Sequence, residues 1–197
     1  MEVARIISNS AHYTLQLSAE LDKLLLLWVL VIIPIVNLIV LGYVARVMRS
    51  TPESDFLPPL DRWGEMLIEG AYIFLISVCY LAAGVAITIG LFYIGSLPVS
   101  TIGWGVTFLG LTILPLALVH AAKRNDPSQG FAVRYLISKV SAIGWIDYLF
   151  WLIATLVLTI LILAFVLIPI IGPLLALLLI PAALTFLGRS SALVYSY

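Results

Sequence analysis

Long runs of apolar residues, separated by a few short polar segments, dominate the pattern of this chain. Three stretches hold no Asp, Glu, Lys or Arg: 22 residues between Lys23 and Arg46, 53 between Glu69 and Lys123, and 41 between Asp147 and Arg189. A helix needs about 20 apolar residues to cross the hydrocarbon core of a bilayer. The stretches therefore predict one, two and two spanning helices, at residues 24–45, 71–93, 100–121, 148–167 and 171–188.

Gly and Pro mark the breaks inside the two longer stretches. Gly95-Ser96-Leu97-Pro98 divides the second stretch, and Pro-Ile-Ile-Gly-Pro at 169–173 divides the third; such clusters are typical of turns. No alternation of period two runs through the apolar stretches, and in lipid the backbone is satisfied only within helices or closed barrels. We therefore predict an all-α, polytopic helical bundle in which residues 1–197 form a single membrane domain.

Pro34 and Asn37 lie in the middle of the first predicted span, and two interpretations of them are open. The first is a single helix kinked at Pro34, which membrane helices tolerate; it gives five spans and an outside N-terminus. The second is a re-entrant hairpin that enters over residues 22–33 and leaves over 38–49, which returns the N-terminus to the cytoplasm. We prefer the kinked helix.

Three segments outside the spans are expected to be interfacial amphipathic helices, at residues 2–19, 60–70 and 129–143. Within the N-terminal segment 1–20, apolar residues such as Ile6, Tyr13 and Leu17 recur at helical spacing, with charged residues between them. Asp61 and Asp126 are suited to cap the starts of the other two helices.

The composition agrees with a membrane protein. Hydrophobic residues make up 63% of the chain and charged residues 10%, with a mean hydropathy of +1.18. In soluble domains, hydrophobic residues make up roughly 45–50% and charged residues about 25%. These values exclude a water-soluble enzyme, a nucleic-acid binder and a secreted disulfide scaffold. The single cysteine, Cys79, permits no intrachain disulfide.

Basic residues are concentrated on one side of the predicted spans. The five-span arrangement places eight of them there, namely Arg46, Arg49, Arg62, Lys123, Arg124, Arg134, Lys139 and Arg189, while the opposite loops around 94–99 and 168–172 carry no charge. The positive-inside rule then assigns segments 46–70 and 122–147 to the cytoplasmic side of a multi-pass cell-membrane protein. All of these except Arg62 are candidate contacts for lipid headgroups.

Two parts of the chain resemble each other. Residues 28–50 and 164–190 each contain an Ile-Pro-Ile core, an apolar helix and a terminal Arg-Ser pair. We therefore predict an internal repeat with halves at 21–95 and 122–190, although convergent turn chemistry is the alternative.

Several motifs together resemble a known family. Gly42-Tyr43 with Arg46, the run Asp61-Arg62-Trp63-Gly64-Glu65, and the tail that begins GWIDYLFW are similar to the family catalogued as domain of unknown function 4013. The resemblance covers nearly the whole chain apart from the first dozen residues. It implies a multi-span membrane protein of a mostly archaeal family. It does not imply any particular activity.

The segment LPPLDRWGEMLIEG carries the best candidate for a functional surface. Asp61, Glu65 and Glu69 fall on its polar side, and Trp63 is a residue favoured at membrane interfaces. One interpretation is an anchor that sets the entry angle of the following span. The other is a cytoplasmic docking surface for a partner.

Small residues form a candidate helix-packing seam along the third predicted span. Ser100, Gly103, Thr107 and Gly110 recur at three- and four-residue steps, and Ala82, Ala86 and Gly90 recur every four residues along the second span. Small side chains let membrane helices approach closely, so a compact antiparallel hairpin over 71–121, or a seam for another subunit, is expected.

The predicted spans hold no Asp, Glu, Lys or Arg away from their ends, whereas pumps and ion-coupled transporters normally place an ionisable group in the bilayer. One His and one Cys on different spans supply neither a nucleophile with a base nor a metal site. We therefore expect a non-enzymatic structural or partner-binding membrane module, with no catalytic residue, cofactor or metal. The expected partners are the bilayer and a second copy or another membrane protein. The alternative is a permease-like or lipid-handling protein.

Overall fold

The structure is a computed structural model that describes residues 1–94, 97–164, 168–169 and 171–197. In these ranges the regular structure is helical. The α-helices are α1 Val3–Ala19, α2 Leu21–Ile32, α3 Leu38–Ser50, α4 Trp63–Ile94, α5 Leu97–Arg124, α6 Val133–Ile143, α7 Trp145–Ala164 and α8 Ile171–Tyr195, with a 3-10 turn at Pro127–Phe131 between α5 and α6. The prediction of an all-α bundle is confirmed.

Four helices are long and apolar enough to cross a bilayer. The qualifying segments are Trp63–Tyr93, Thr101–Arg124, Trp145–Ile162 and Leu178–Tyr195, which belong to α4, α5, α7 and α8. They coincide with the last four predicted spans, and they are the segments that meet these criteria in the described part of the chain. The protein is therefore built as a multi-pass helical membrane protein.

The first predicted span, 24–45, is wrong as a single kinked helix. Helix α2 ends at Ile32, residues 33–37 form a turn in which Ile35 has φ 70°, and α3 begins at Leu38. The two helices have 12 and 13 residues, or about 18 to 20 Å each. Neither can cross a hydrocarbon core of about 30 Å.

The chain reverses at this turn, as the re-entrant alternative predicts. Leu27 and Leu30 of α2 lie in one buried cluster with Val40 and Tyr43 of α3. The tip of the hairpin lies beside the middle of α8, where Ile35 shares a cleft with Ile180 and Leu184. The hairpin therefore reaches into the depth occupied by a spanning helix and returns.

A helix, α1, is present where an interfacial amphipathic helix is expected at 2–19. Its buried face is covered by protein, and its interfacial position stays a prediction. Ile6, Ser10, Tyr13 and Leu17 are buried at steps of three and four residues, and α1 packs chiefly against α8. The hydroxyl of Tyr13 donates to the carbonyl of Phe56, which follows α3. The start of the chain therefore lies at the same end of the bundle as segment 46–70.

The two other expected interfacial helices differ from one another in outcome. No separate helix covers 60–70: helix α4 begins at Trp63 and continues without a break to Ile94. In 129–143, the 3-10 turn and α6 replace a single helix. Asp126 caps this turn as expected, because its carboxylate accepts from the amide of Ser128 at 2.9 Å. Hydrogen bonds from Ser128 and Gln129 hold the pKa of Asp126 below its usual range.

The seam between α4 and α5 uses part of the predicted set. A Cβ added to Gly103 would overlap the backbone of Thr88, and one added to Gly84 would lie 2.7 Å from Cα of Thr107. Gly103 and Thr107 thus form the expected close contact, whereas Gly110 has ordinary space, with Tyr80 O at 3.6 Å.

Ala82, Ala86 and Gly90 do not form the face of α4 that packs on α5, and the alternative, a seam for another subunit, stays a prediction. Ala82 and Ala86 are exposed, and nothing lies within 4 Å of a Cβ built on Gly90. The face that α4 presents is set by Gly84, because an alanine Cβ would hold the two backbones apart.

A few predictions fall outside the described residues. The turn residues Gly95 and Ser96, and Ile170 in the second turn, are among them, as is the side chain of Ser100 in the seam. The internal repeat stays a prediction; its two proposed copies end in helices of 13 and 25 residues, α3 and α8.

Cysteine labelling can test the hairpin. In a Cys79→Ala background, we expect Ser8→Cys and Ser128→Cys, both on exposed residues, to react with a membrane-impermeant maleimide from the same side. Tyr93→Cys, at the other end of α4 and 83% exposed, should react from the opposite side only. Labelling of Ser8→Cys from the same side as Tyr93→Cys would contradict the hairpin and support the five-span arrangement.

Candidate functional site at the charged end of the bundle

Arg46 on α3 gathers the acidic residues that the sequence analysis singled out. Its guanidinium lies 2.5 Å from Oδ1 of Asp61, 3.8 Å from Oε2 of Glu65 and 3.7 Å from Oε2 of Glu69. It also donates to the carbonyls of Pro59 and Asp61 at 3.3 and 2.9 Å. A single arginine therefore fixes both the backbone before α4 and three carboxylates around its first two turns.

Arg49, one turn further along α3, extends this cluster to α5. It donates to Oε1 of Glu69, to the carbonyl of Ala122 and to Oδ1 of Asn125, each at 3.0 Å. Helices α3, α4 and α5 are thus joined at one end by charged hydrogen bonds, which are stronger than neutral ones.

The predicted docking surface is only partly available. The side chains of Asp61 and Glu65 are 54% and 58% exposed, and Trp63 is 43% exposed, but the side chain of Glu69 is 13% exposed and its Oε2 is buried without a hydrogen bond. The expectation that all three acids turn to water is therefore wrong for Glu69. The carboxylate of Asp61, which was expected to cap the helix at 60–70, accepts from Arg46.

Two residues near this surface were missed by sequence reasoning. Phe56 is 81% exposed, and the side chain of Arg62 is 70% exposed with a backbone φ of 50°. The paired prolines 58 and 59 could have indicated an extended loop, but no pattern in the sequence indicates that this loop is held by Arg46.

A second arginine, Arg189 of α8, is buried at the same end. Its residue is 1% exposed. Its guanidinium donates to Oδ1 of Asn9, to the hydroxyl of Thr51, to the carbonyl of Ser54 and to Oδ1 of Asp55. The ring of Tyr13 lies 4.4 Å from its Cζ. Arg189 therefore joins α1, the segment after α3, and α8.

These contacts correct part of the predicted set of headgroup contacts. The guanidinium donors of Arg46, Arg49 and Arg189 are directed to protein acceptors, because the hairpin and α1 bring carboxylates and carbonyls to them. The remaining four, Lys123, Arg124, Arg134 and Lys139, have no carboxylate within ion-pair distance in the part of the chain that the structure describes.

Two of these four lie in an aromatic cluster that the sequence did not reveal. Nζ of Lys123 and Nζ of Lys139 lie 5.9 and 5.2 Å from the ring centroid of Tyr195. The hydroxyl of Tyr195 is 2.7 Å from Nδ1 of His120 and 3.2 Å from the hydroxyl of Tyr135. Helices α5, α6 and α8 contribute to this cluster, which we call the tyrosine–lysine cluster.

The side chains at this end of the bundle form two separate polar arrangements. Within the described ranges, no group of three His, Cys, Asp or Glu side chains is placed to hold a metal ion. The carboxylates of the Arg46 cluster are matched by Arg46 and Arg49 rather than by a nucleophile or an uncharged acid. What the site offers a ligand is an exposed charged surface around Trp63 and an unpaired basic cluster around Tyr195.

Comparison with known proteins gives one family. The model of a family described as a protein of unknown function, DUF4013, matches residues 25–172. No curated protein and no solved structure matches the chain.

Proposed function

This chain belongs to the DUF4013 family, and on that premise we propose that it is a non-enzymatic membrane module that self-associates through the exposed surface before and at the start of α4. We define this docking surface as Phe56, Asp61, Arg62, Trp63 and Glu65. The observation that carries the proposal is that Arg46 fixes the backbone of this surface while its side chains stay exposed.

The residue types of the docking surface favour protein binding. Phe56 and Trp63 are exposed aromatic residues and Arg62 is an exposed arginine. Trp and Arg are enriched among the residues that carry most of the energy of protein–protein interfaces. An exposed tryptophan alone would equally serve as a membrane anchor, so the charges beside it decide the proposal.

The backbone of the docking surface is held in place before any partner arrives. Arg62 has φ 50°, a conformation that costs a non-glycine residue about 1–3 kcal/mol. It is retained because Arg46 binds the carbonyls of Pro59 and Asp61 on one side, while the amides of Glu65 and Met66 donate to the Arg62 carbonyl on the other. A surface fixed in advance loses less entropy when it binds.

The charges of the docking surface are self-complementary. Arg62 and Glu65 lie three residues apart, and Nη1 of Arg62 is 3.5 Å from Oε2 of Glu65 within one chain. In a two-fold interface both subunits use the same surface, so a contact from residue 62 of one copy to residue 65 of the other is always accompanied by the reciprocal contact. The docking that we propose pairs these two residues across the two-fold axis. The pair can therefore exchange its internal contact for two contacts between copies, which favours a second copy as the partner.

Charge reversal tests this proposal. Arg62→Glu places two acids opposite each other twice per interface, and Glu65→Arg places two arginines there; like charges at an interface oppose association. We expect each single variant to associate with itself at least tenfold more weakly than the unmodified protein, measured by co-purification of two differently tagged copies in mild detergent.

The decisive experiment is a mixture of the two variants. Arg62→Glu chains with Glu65→Arg chains restore opposite charges at both contacts, so co-purification should return, and the double exchange in one chain should also associate. Arg134→Glu, a reversal at an exposed arginine of the same end, is the matched control and should have no effect. A monomeric unmodified protein, or a mixture that stays dissociated, would refute the proposal.

A further inference from the structure

The basic side chains of this protein fall into two groups according to their partners. Of the ten Lys and Arg residues, six have a carboxylate within 4.0 Å: Arg5, Lys23, Arg46, Arg49, Arg62 and Arg189. The other four all fall between positions 123 and 139, and none has such a partner among the described residues. A chain with zero net charge therefore carries a local excess of positive charge at one place.

From this excess and its geometry, we propose that the tyrosine–lysine cluster binds the phosphate group of an anionic phospholipid. The proposed donors are the ammonium groups of Lys123 and Lys139 and the hydroxyl of Tyr135. Two ammonium groups within 6 Å of one ring centroid concentrate positive charge at this place, and an anion bound near both of them is attracted by it.

The helix dipole does not explain why both lysines lie over one ring. Lys123 lies in the last turn of α5, where a cation is favoured by the helix dipole. Lys139 belongs to α6, and its ammonium group nevertheless approaches the same Tyr195 ring from another helix. Glu53 attracts Lys123 from a distance, but it forms no ion pair with Lys123 in the described structure.

The hydrogen bonds within the cluster leave the hydroxyl of Tyr135 available to a ligand. With Nδ1 of His120 as acceptor, the hydroxyl of Tyr195 donates to it across 2.7 Å. Tyr135, which is 45% exposed, stacks on His120 with ring centroids 4.5 Å apart. Its hydroxyl can donate to Tyr195 or turn to a ligand. A phosphate oxygen accepts hydrogen bonds, so two ammonium groups and one hydroxyl match it.

The surroundings of the cluster favour a lipid over a free anion. Tyr135 and Lys139 lie on one face of α6, whereas Val133 and Ile137 lie on the other, where they line a cleft with Tyr80 and are each 41% exposed. A helix with a basic face and an exposed apolar face is typical of the boundary between headgroups and acyl chains. Basic pockets between helices at this level are suited to anionic headgroups.

Lipid titration can test the site. Protein in neutral detergent is titrated with phosphatidylglycerol, with phosphatidylcholine, and with inorganic phosphate, and binding is followed by native mass spectrometry and thermal stability. We expect phosphatidylglycerol to bind and stabilise the protein and phosphatidylcholine to do neither. Lys123→Gln with Lys139→Gln should weaken phosphatidylglycerol binding about 30-fold, since each lysine near an anionic lipid contributes about a factor of five.

The matched control removes the same charge beside the cluster. Arg124→Gln with Arg134→Gln deletes two exposed basic residues and should leave phosphatidylglycerol binding within a few-fold of the unmodified protein. Tyr135→Phe, which retains the ring, should weaken binding without changing stability in the absence of lipid. Equal losses in the two double variants would reduce the cluster to general surface charge. Equal stabilisation by inorganic phosphate would refute the assignment to a lipid.

Discussion

Arg189→Met is expected to lower the free energy of unfolding by about 2–4 kcal/mol, because a buried polar group left without its partner costs about 1–3 kcal/mol and several groups lose theirs here. The substitution leaves the acceptors on Asn9, Thr51 and Ser54 without the buried donor that joins them. The measurable result is a lower thermal midpoint in detergent, together with faster amide exchange in α1, because Arg189 joins Asn9 of α1 to α8.

Two controls accompany Arg189→Met. Arg189→Lys keeps the charge but loses the planar fork that reaches several acceptors at once, so an intermediate loss of stability is expected. Arg134→Met removes an exposed arginine without a carboxylate partner and should change stability by less than about 0.5 kcal/mol. If Arg189→Met leaves both the thermal midpoint and α1 exchange unchanged, the buried arginine does not hold α1 to α8.

Gly70→Ala is expected to destabilise the protein by about 3 kcal/mol or more, at the upper end of overpacking effects. A Cβ on Gly70 would overlap the carbonyl of Leu38 and lie 2.8 Å from the amide nitrogen of Gly42. Gly42 meets the backbone of Met66 in the same way. Because backbone rather than a flexible side chain blocks the new methyl group, α3 and α4 must separate.

The comparison for Gly70→Ala is Gly105→Ala on α5, where nothing lies within 4 Å of an added Cβ. Both substitutions replace glycine by alanine inside a helix, which by propensity alone favours the helix by roughly 1 kcal/mol. Gly105→Ala should therefore be neutral or stabilising in a thermal unfolding experiment. Similar melting of both variants would show that the α3–α4 crossing is looser than the structure places it.

The sequence could predict the spans wherever length alone decides the outcome. A charge-free run of 53 or 41 residues has no way to satisfy its backbone in lipid except as helices long enough to cross it. The run of 22 residues is different, because it is long enough for one span and also long enough for two short helices. Pro34 is compatible with both structures. The packing of Ile35 beside Ile180 and Leu184 of α8 distinguishes them, and no local pattern encodes that contact.

The charged residues could also be recognised from the sequence, whereas their surroundings in the fold could not. Asp61, just before α4, and Glu65 and Glu69 on α4 were recognised from their spacing. Their environment depends on Arg46, which lies on another helix. Arg189 looks from the sequence like an ordinary basic residue at the end of a span. It is buried because Asn9 and Asp55, far away in the chain, meet around it.

The seam between α4 and α5 shows why small residues predict a close contact better than its register. Helix α4 carries two sets of small residues, one containing Ala82 and Ala86 and the other containing Gly84 and Thr88. Both satisfy a four-residue spacing. Only the set with Gly84 places a glycine opposite a backbone. Which set faces α5 depends on how the α4–α5 pair is rotated against α3.

The re-entrant hairpin has a consequence for the order in which the protein is assembled. Trp28 donates to the carbonyl of Leu178, 150 residues later, and Asn9 accepts from Arg189, 180 residues later. During synthesis, α1 and α2 leave the ribosome long before α8 exists. A pair of short helices that does not cross the bilayer cannot be secured by membrane insertion alone. The contacts of α1 and α2 with α8 therefore form late. Until α8 has been made, these two short helices can pack only on each other and on helices such as α3 that precede α8.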